Sequence, residues 1–139
     1  MSKTQTLTAN TIKSVVYSDF FTDFSRHTNT GQLNRKTNED AVKQSIRNLL
    51  LTDFYERPYQ PLIGSNLKAL LFENFTPITH SLCKSYVKEV IDKYEPRANL
   101  LTTIVSPNID GNSISLTIHF TIKNISEPAT LQLILERTR

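Results

Sequence analysis

The side chains able to do chemistry are few and scattered. His27, His80 and His119 lie far apart without the HxxxH spacing of a metal site, and His119 falls on the polar face of an alternating segment, so no ligand set or catalytic base is implied. Cys83 is the single cysteine. It excludes an internal disulfide and a cysteine-based zinc site, and on the apolar side of a helix it reads as a small hydrophobe. No serine sits in a GxSxG elbow and no glycine-rich phosphate loop is present, so no cofactor is expected. Gly64-Ser65-Asn66, at a helix start, could hold an anion on free backbone amides, but a helix cap is the simpler reading. Hydrolysis of a sugar chain needs two carboxylates flanking the bond, one of them with a raised pKa. Glu56, Glu73 and Glu95 are the candidates, and Glu56 and Glu95 each have a nearby arginine that would lower a pKa instead.

One pattern does recur. Glu56-Arg57-Pro58 lies in a loop, and Glu95-Pro96-Arg97 lies where a long helix should give way to a strand. Each sets a carboxylate and a guanidinium on a proline-stiffened backbone. Two readings stand: a salt bridge that fixes the helix-to-strand turn, or a rigid polar patch that docks a partner through the planar fork of arginine.

The surrounding elements follow from periodicity. A polar segment, residues 1–14, reads as a flexible N-terminal arm, and an aromatic cluster of Tyr17, Phe20, Phe21 and Phe24 should dock on the body of the domain. Ser25 to Asn38 reads as an exposed loop, with a turn at Asn29-Thr30-Gly31. Val42, Ile46, Leu49 and Leu50 predict a helix over 39–51, capped by Thr37 and Asp40, with Lys43, Gln44, Arg47 and Asn48 facing solvent. Two prolines predict an extended loop over 56–61. A short helix after Gly64-Ser65 presents Leu67, Leu70, Leu71 and Phe75. Thr76-Pro77 then starts a helix to Tyr94 with Ile78, Leu82, Tyr86, Val87, Val90, Ile91 and Tyr94 as its stripe.

From Ala98 the period changes to two. Residues 100–105 predict a strand, Asn108-Ile109-Asp110-Gly111 a turn, and Ile114, Leu116, Ile118, Phe120 and Ile122 a strand with one buried face. Glu127-Pro128 marks a connection before a last strand over 131–136, where three consecutive apolar residues (Leu133, Ile134, Leu135) require one to face away from the local core. Helices followed by a three-stranded antiparallel meander make an α+β fold in one domain, residues 15–139.

Composition agrees. A chain of 139 residues, 38% hydrophobic and 21% charged, can bury a core of its own. The net charge of +3 is spread evenly, eight basic against six acidic residues before position 61 and eight against seven after it, which argues against a nucleic-acid stripe. Neither a signal peptide nor a membrane span is visible.

The ordered run AVKQSIRNLLLT (41–52), YERPYQPLIGSNLKALLFEN (55–74), a long helix ending in YEPR (94–97) and a closing alternating strand pair resembles the small wedge-subunit family of contractile-tail baseplates. That family includes the type VI secretion protein TssE and is often called lysozyme-like. The resemblance covers residues 15–139. It implies a structural, non-enzymatic subunit of a phage tail baseplate, in six copies, synthesised in the bacterial host cytoplasm and carried in the virion. It implies binding to other wedge subunits, with Glu95, Pro96 and Arg97 as the interaction motif and Glu56, Arg57 and Pro58 beside it, and a strand edge presented to the first ring of tail sheath. No small-molecule substrate, membrane or nucleic acid is implied as partner. The alternative is a peptidoglycan-degrading tail lysozyme.

Overall fold

The computed structural model describes residues 14–108 and 112–137. In chain order its elements are β1 (Ser18–Phe20), β2 (Arg35–Thr37), α1 (Asn38–Leu51), α2 (Leu67–Leu70), α3 (Pro77–Tyr94), β3 (Ala98–Asn108), β4 (Ser113–Ile122) and β5 (Ile125–Glu136). β3, β4 and β5 form an antiparallel meander in that order, and β1 pairs with β2 in a separate two-stranded ribbon. The fold is α+β, as the periodicity predicts. The arm expected over 1–14 lies outside the described residues but for Ser14, as does the turn expected over 108–111 but for Asn108.

The core is a single apolar layer between one face of the meander and the helices. Ile114, Leu116, Ile118, Phe120 and Ile122 are all buried on β4, facing Val42, Ile46, Leu49 and Leu50 of α1 and Val87, Val90 and Ile91 of α3. Burying a side chain of this kind stabilises the fold by about 1.5–3 kcal/mol, so these rows hold the layers together. β5 resolves its apolar triplet by pleating: Leu133 and Leu135 are buried and Ile134 is 61% exposed.

Several expectations need correction. Ser25 to Asn38 is not a plain loop, because Arg35–Thr37 pairs with Ser18–Phe20. A three-residue strand without an apolar side chain carries no hydrophobic alternation to read, although Lys36 is half-buried between exposed neighbours. The aromatic cluster is split accordingly: Tyr17 packs on the core, whereas Phe20 and Phe21 lie under Arg35 and Lys36, and Phe24 is exposed. Thr37 occupies the N-cap of α1 but makes no capping hydrogen bond through its side chain. Gln44 is buried rather than solvent-facing. On α3 the buried row runs through Thr79, Cys83, Val87, Val90 and Ile91, and Ile78 and Leu82 turn outward. A bulge at Leu101 shifts the buried side of β3 onto Thr103 and Val105, which is why its alternation is faint in sequence. Glu127-Pro128 lies inside β5 rather than in a connection. The hairpin turns at Lys123-Asn124, with Asn124 at positive φ, and Pro128 is tolerated on an edge strand beside a register irregularity.

Candidate functional site

The run 52–66 is a folded loop rather than an extended one. Turns are closed by hydrogen bonds from the Tyr55 amide to the Pro61 carbonyl (2.8 Å) and from the Gln60 amide to the Arg57 carbonyl (3.3 Å), with Tyr55 and Tyr59 at positive φ. Its ends meet at the C-terminus of α1: the Ser65 amide donates to the Thr52 carbonyl at 2.8 Å, and the buried Ser65 hydroxyl donates to the Leu50 carbonyl at 2.6 Å. Ser65 therefore satisfies backbone carbonyls of α1, which leaves Gly64-Ser65-Asn66 as structure and not an anion site. Gly64 is demanded by close approach. A Cβ there would lie 2.8 Å from the Thr52 and Asp53 carbonyl oxygens.

Within this loop the exposed Glu56 folds back along the chain and accepts from the Asp53 amide at 2.8 Å. It forms no ion pair with Arg57. Arg57 is half-buried, with no ion-pair partner among the described residues. Phe54, Tyr55, Tyr59 and Leu62 of the same loop are exposed, Tyr59 completely.

The second motif is built differently. Pro96 stops α3, and Glu95 becomes its C-cap, outside the helical region (φ −124°, ψ 74°). The Glu95 carboxylate is 2% exposed and is gripped by Arg97, whose Nε donates to Oε1 at 2.6 Å and whose Nη2 donates to Oε2 at 2.8 Å. Burial alone would push this carboxyl up. The Arg97 fork, a hydrogen bond from Ser45 of α1 and the Arg97 charge outweigh burial and hold it below its ordinary value of 4.5. The same pairing, chiefly the hydrogen bond to Glu95, pushes the Arg97 guanidinium up. Tyr17 covers the outside, with the Arg97 guanidinium carbon 5.5 Å from its ring centroid and its hydroxyl donating to the Lys123 carbonyl at 3.2 Å. Asn38, at positive φ, pins this segment: its Oδ1 accepts from the Val16 and Tyr17 amides, and its own amide donates to the Tyr17 carbonyl.

The fold brings the surroundings of both motifs to one place. A hollow of about 340 Å³ is walled by Arg57, Asp19, Ser45, Asn48 and Tyr94. Ser45 bonds Glu95, Asp19 acts electrostatically on Arg97, and the Tyr94 hydroxyl donates to Leu62 in the loop at 2.5 Å. Tyr17, Asp19, Asn38 and Ser45 had no motif to announce them. Only Tyr17 carried a signal, as an aromatic expected to dock on the domain.

Glu73 is not part of this hollow, nor are the histidines. His119 contacts Thr130 on the outer sheet face and His80 packs edge-on to Phe75. Among the described residues, no three or more His, Cys, Asp or Glu side chains converge as metal ligands. No helix among them is long and apolar enough to cross a membrane.

The family profile of baseplate wedge protein gp25 matches residues 36–126, a stretch that holds α1, the folded loop and the Glu-Pro-Arg turn. This chain belongs to the gp25 baseplate wedge family. The curated gp25 of Enterobacteria phage T4 is 30% identical over 82 residues, 59% of this chain and 62% of the T4 protein, so the match spans less than two thirds of that relative. A crystal structure of a candidate tail lysozyme from Geobacter sulfurreducens superimposes with a TM-score of 0.64 at 25% identity, covering 70% of this chain and 89% of the other. Chains in the baseplates of the anti-feeding prophage and of contracted pyocin R2 share the fold. Their TM-scores are 0.61 and 0.58 at 22% and 21% identity, with 85% and 72% of this chain covered and 83% and 98% of theirs. The family is named for a baseplate wedge protein, and the two baseplate chains share its fold.

Proposed function

We propose that the chain is a non-enzymatic wedge subunit of a phage tail baseplate, resident in the virion, that binds other wedge subunits through the face holding both Glu/Arg/Pro motifs and presents β5 to the tail sheath. The observation that carries this is the 340 Å³ hollow, where a half-buried Arg57 with no ion-pair partner among the described residues stands beside Asp19 and Ser45, which act on the Glu95–Arg97 pair. The pre-folded loop that carries Arg57 also carries the exposed Phe54, Tyr55 and Tyr59. Arginine and aromatics are the residues enriched in protein interfaces, and a backbone ordered before binding loses less entropy on docking. The roles within the patch are unequal. Arg97 spends its fork on Glu95 and stiffens the turn, so Arg57 is the guanidinium free to meet a partner.

A cell-wall hydrolase is the competing reading, since one structural neighbour is described as a candidate tail lysozyme. Glu95 argues against it in this chain. A general acid needs a raised pKa, and Glu95 is displaced the other way and sealed under Arg97 and Tyr17.

The test combines purified chain with the wedge proteins of its own phage. Arg57→Ala and Tyr59→Ala should melt like wild type yet weaken wedge entry by about 2 kcal/mol or more each, the scale of an interface hot spot. Normal entry by both variants would place the interface elsewhere. Sustained release of soluble fragments from peptidoglycan, abolished by Glu56→Gln or Glu73→Gln, would replace the structural reading with the enzymatic one.

A further inference from the structure

Two tyrosines occupy backbone that a tyrosine ordinarily avoids. The Glu56 amide donates to the Asp53 carbonyl and the Gln60 amide to the Arg57 carbonyl, each at 3.3 Å, so 53–56 and 57–60 are successive β-turns. Tyr55 and Tyr59 stand at the third position of each, both at φ 67°. Pro58 before Tyr59 completes the pattern of a type II turn, whose third position calls for glycine or asparagine. A bulky side chain there is strained, and such strain persists only where the surroundings enforce it. They do so here. The Tyr55 amide is held by the Pro61 carbonyl at 2.8 Å, the Glu56 carboxylate accepts from the Asp53 amide, and Asp53 is tied to Lys68 at 3.0 Å. Elsewhere, Phe24 apart, the chain meets positive φ with the expected residues: Gly31, Gly64, Asn38, Asn112 and Asn124.

Nothing within the fold offsets the strain. Tyr55 is 79% exposed and Tyr59 fully so, and neither side chain has a hydrogen bond or ring contact among the described residues. Asparagine at either position would close the same turn with less strain, so the reason for tyrosine lies outside the chain. We infer that Tyr55 and Tyr59 are paired anchors, held out by a strained loop at a loss of stability, for insertion into preformed pockets of a partner protein. A tyrosine brings a large ring with few rotamers to freeze and a hydroxyl that needs one acceptor, which suits an apolar pocket with a polar floor. Stacking on nucleic-acid bases would need a basic surround, and here Asp53 and Glu56 accompany Arg57 and Lys68. That the partner is a wedge subunit rests on the function proposed above; the strain does not.

Tyr55→Asn and Tyr59→Asn test both halves, because asparagine tolerates this backbone region and alanine does not. Each should raise the melting midpoint by about 2–5 °C, the scale of one relieved turn position in a domain of this size. Each should also weaken entry into a wedge reconstituted from the purified chain and the wedge proteins of the same phage, by about tenfold or more. Tyr59→Phe keeps the ring and the strain, so it should melt like wild type and lose less entry than Tyr59→Asn. Asparagine variants that melt at or below wild type would show that the rings serve the fold. Stabilised variants that enter normally would show that the rings bind nothing there. Either result overturns the inference, as does an equal loss from Tyr59→Phe. Binding of a short oligothymidylate that the asparagine variants abolish would assign the rings to a nucleic-acid strand and overturn it as well. Arg57→Ala tells the two readings apart: if it enters normally too, the face is not the interface, and if it alone fails, the face stands without its tyrosines.

Discussion

Arg97→Ala should destabilise the protein before it can be asked to bind anything. The substitution deletes both donors that grip Glu95 and leaves a carboxylate that is 2% exposed with only the Ser45 hydrogen bond. Breaking a fully buried ion pair from one side costs about 3–5 kcal/mol. Arg97 itself is 33% exposed, so water can reach the vacated side, and roughly 2–3 kcal/mol is the expected loss. In a domain of this size one kcal/mol moves the melting midpoint by about 3–5 °C, so the variant should melt about 6–15 °C lower near pH 7.5. The pH dependence has a definite sign. In the wild type the folded Glu95 carboxyl is depressed, so its contribution is complete above its unfolded value of 4.5 and is lost as pH falls through the lower folded value. In the variant, burial without the guanidinium pushes that carboxyl up, so protonation relieves the fold instead of weakening it. The gap in melting midpoint, read by circular dichroism, should therefore be widest near neutrality. It should begin to shrink as pH falls through the variant's raised value, above 4.5, and go on shrinking until the wild-type carboxyl itself protonates below 4.5. Glu95→Met/Arg97→Met, which removes both charges, should recover most of the loss. A variant that melts like wild type at neutral pH, or a gap indifferent to pH, would refute the sealed-pair account and return Arg97 to the interface.

Other expectations are briefer. Gly64→Ala places a methyl group 2.8 Å from backbone atoms that cannot step aside, and should lower stability by about 1–3 kcal/mol in urea unfolding without altering the α1 stripe. Cys83 is buried, with its thiol pushed up to about 11, so alkylation by iodoacetamide at pH 8 should proceed only at the rate of global unfolding; rapid labelling of native protein would contradict its place in the core. Ile134→Lys should change stability by no more than about 0.5 kcal/mol yet block sheath attachment, whereas Leu133→Lys, on the buried side of the same strand, should abolish folding. Normal sheath growth on Ile134→Lys baseplates would move the docking site off this edge.

The elements that repeat a simple period were legible without coordinates. The Val42–Ile46–Leu49–Leu50 stripe, the Thr76-Pro77 start of α3 and the alternation of β4 each make one local preference agree with one buried face, and all three stand in the fold. The triplet Leu133-Ile134-Leu135 already required one outward side chain, since a pleated strand cannot bury three consecutive residues on one face. Glu95-Pro96-Arg97 could likewise be placed at a helix end, because a proline beyond the first turn cannot continue a helix. What local sequence could not decide was which groups would be desolvated. Glu95 is sealed by Tyr17 and Ser45, residues 78 and 50 positions earlier, and Gln44 is buried by the Phe20 ribbon rather than by its own helix. The electrostatic character of a carboxylate depends on its distance to water and to charges across the fold, and that distance exists only once the chain has folded.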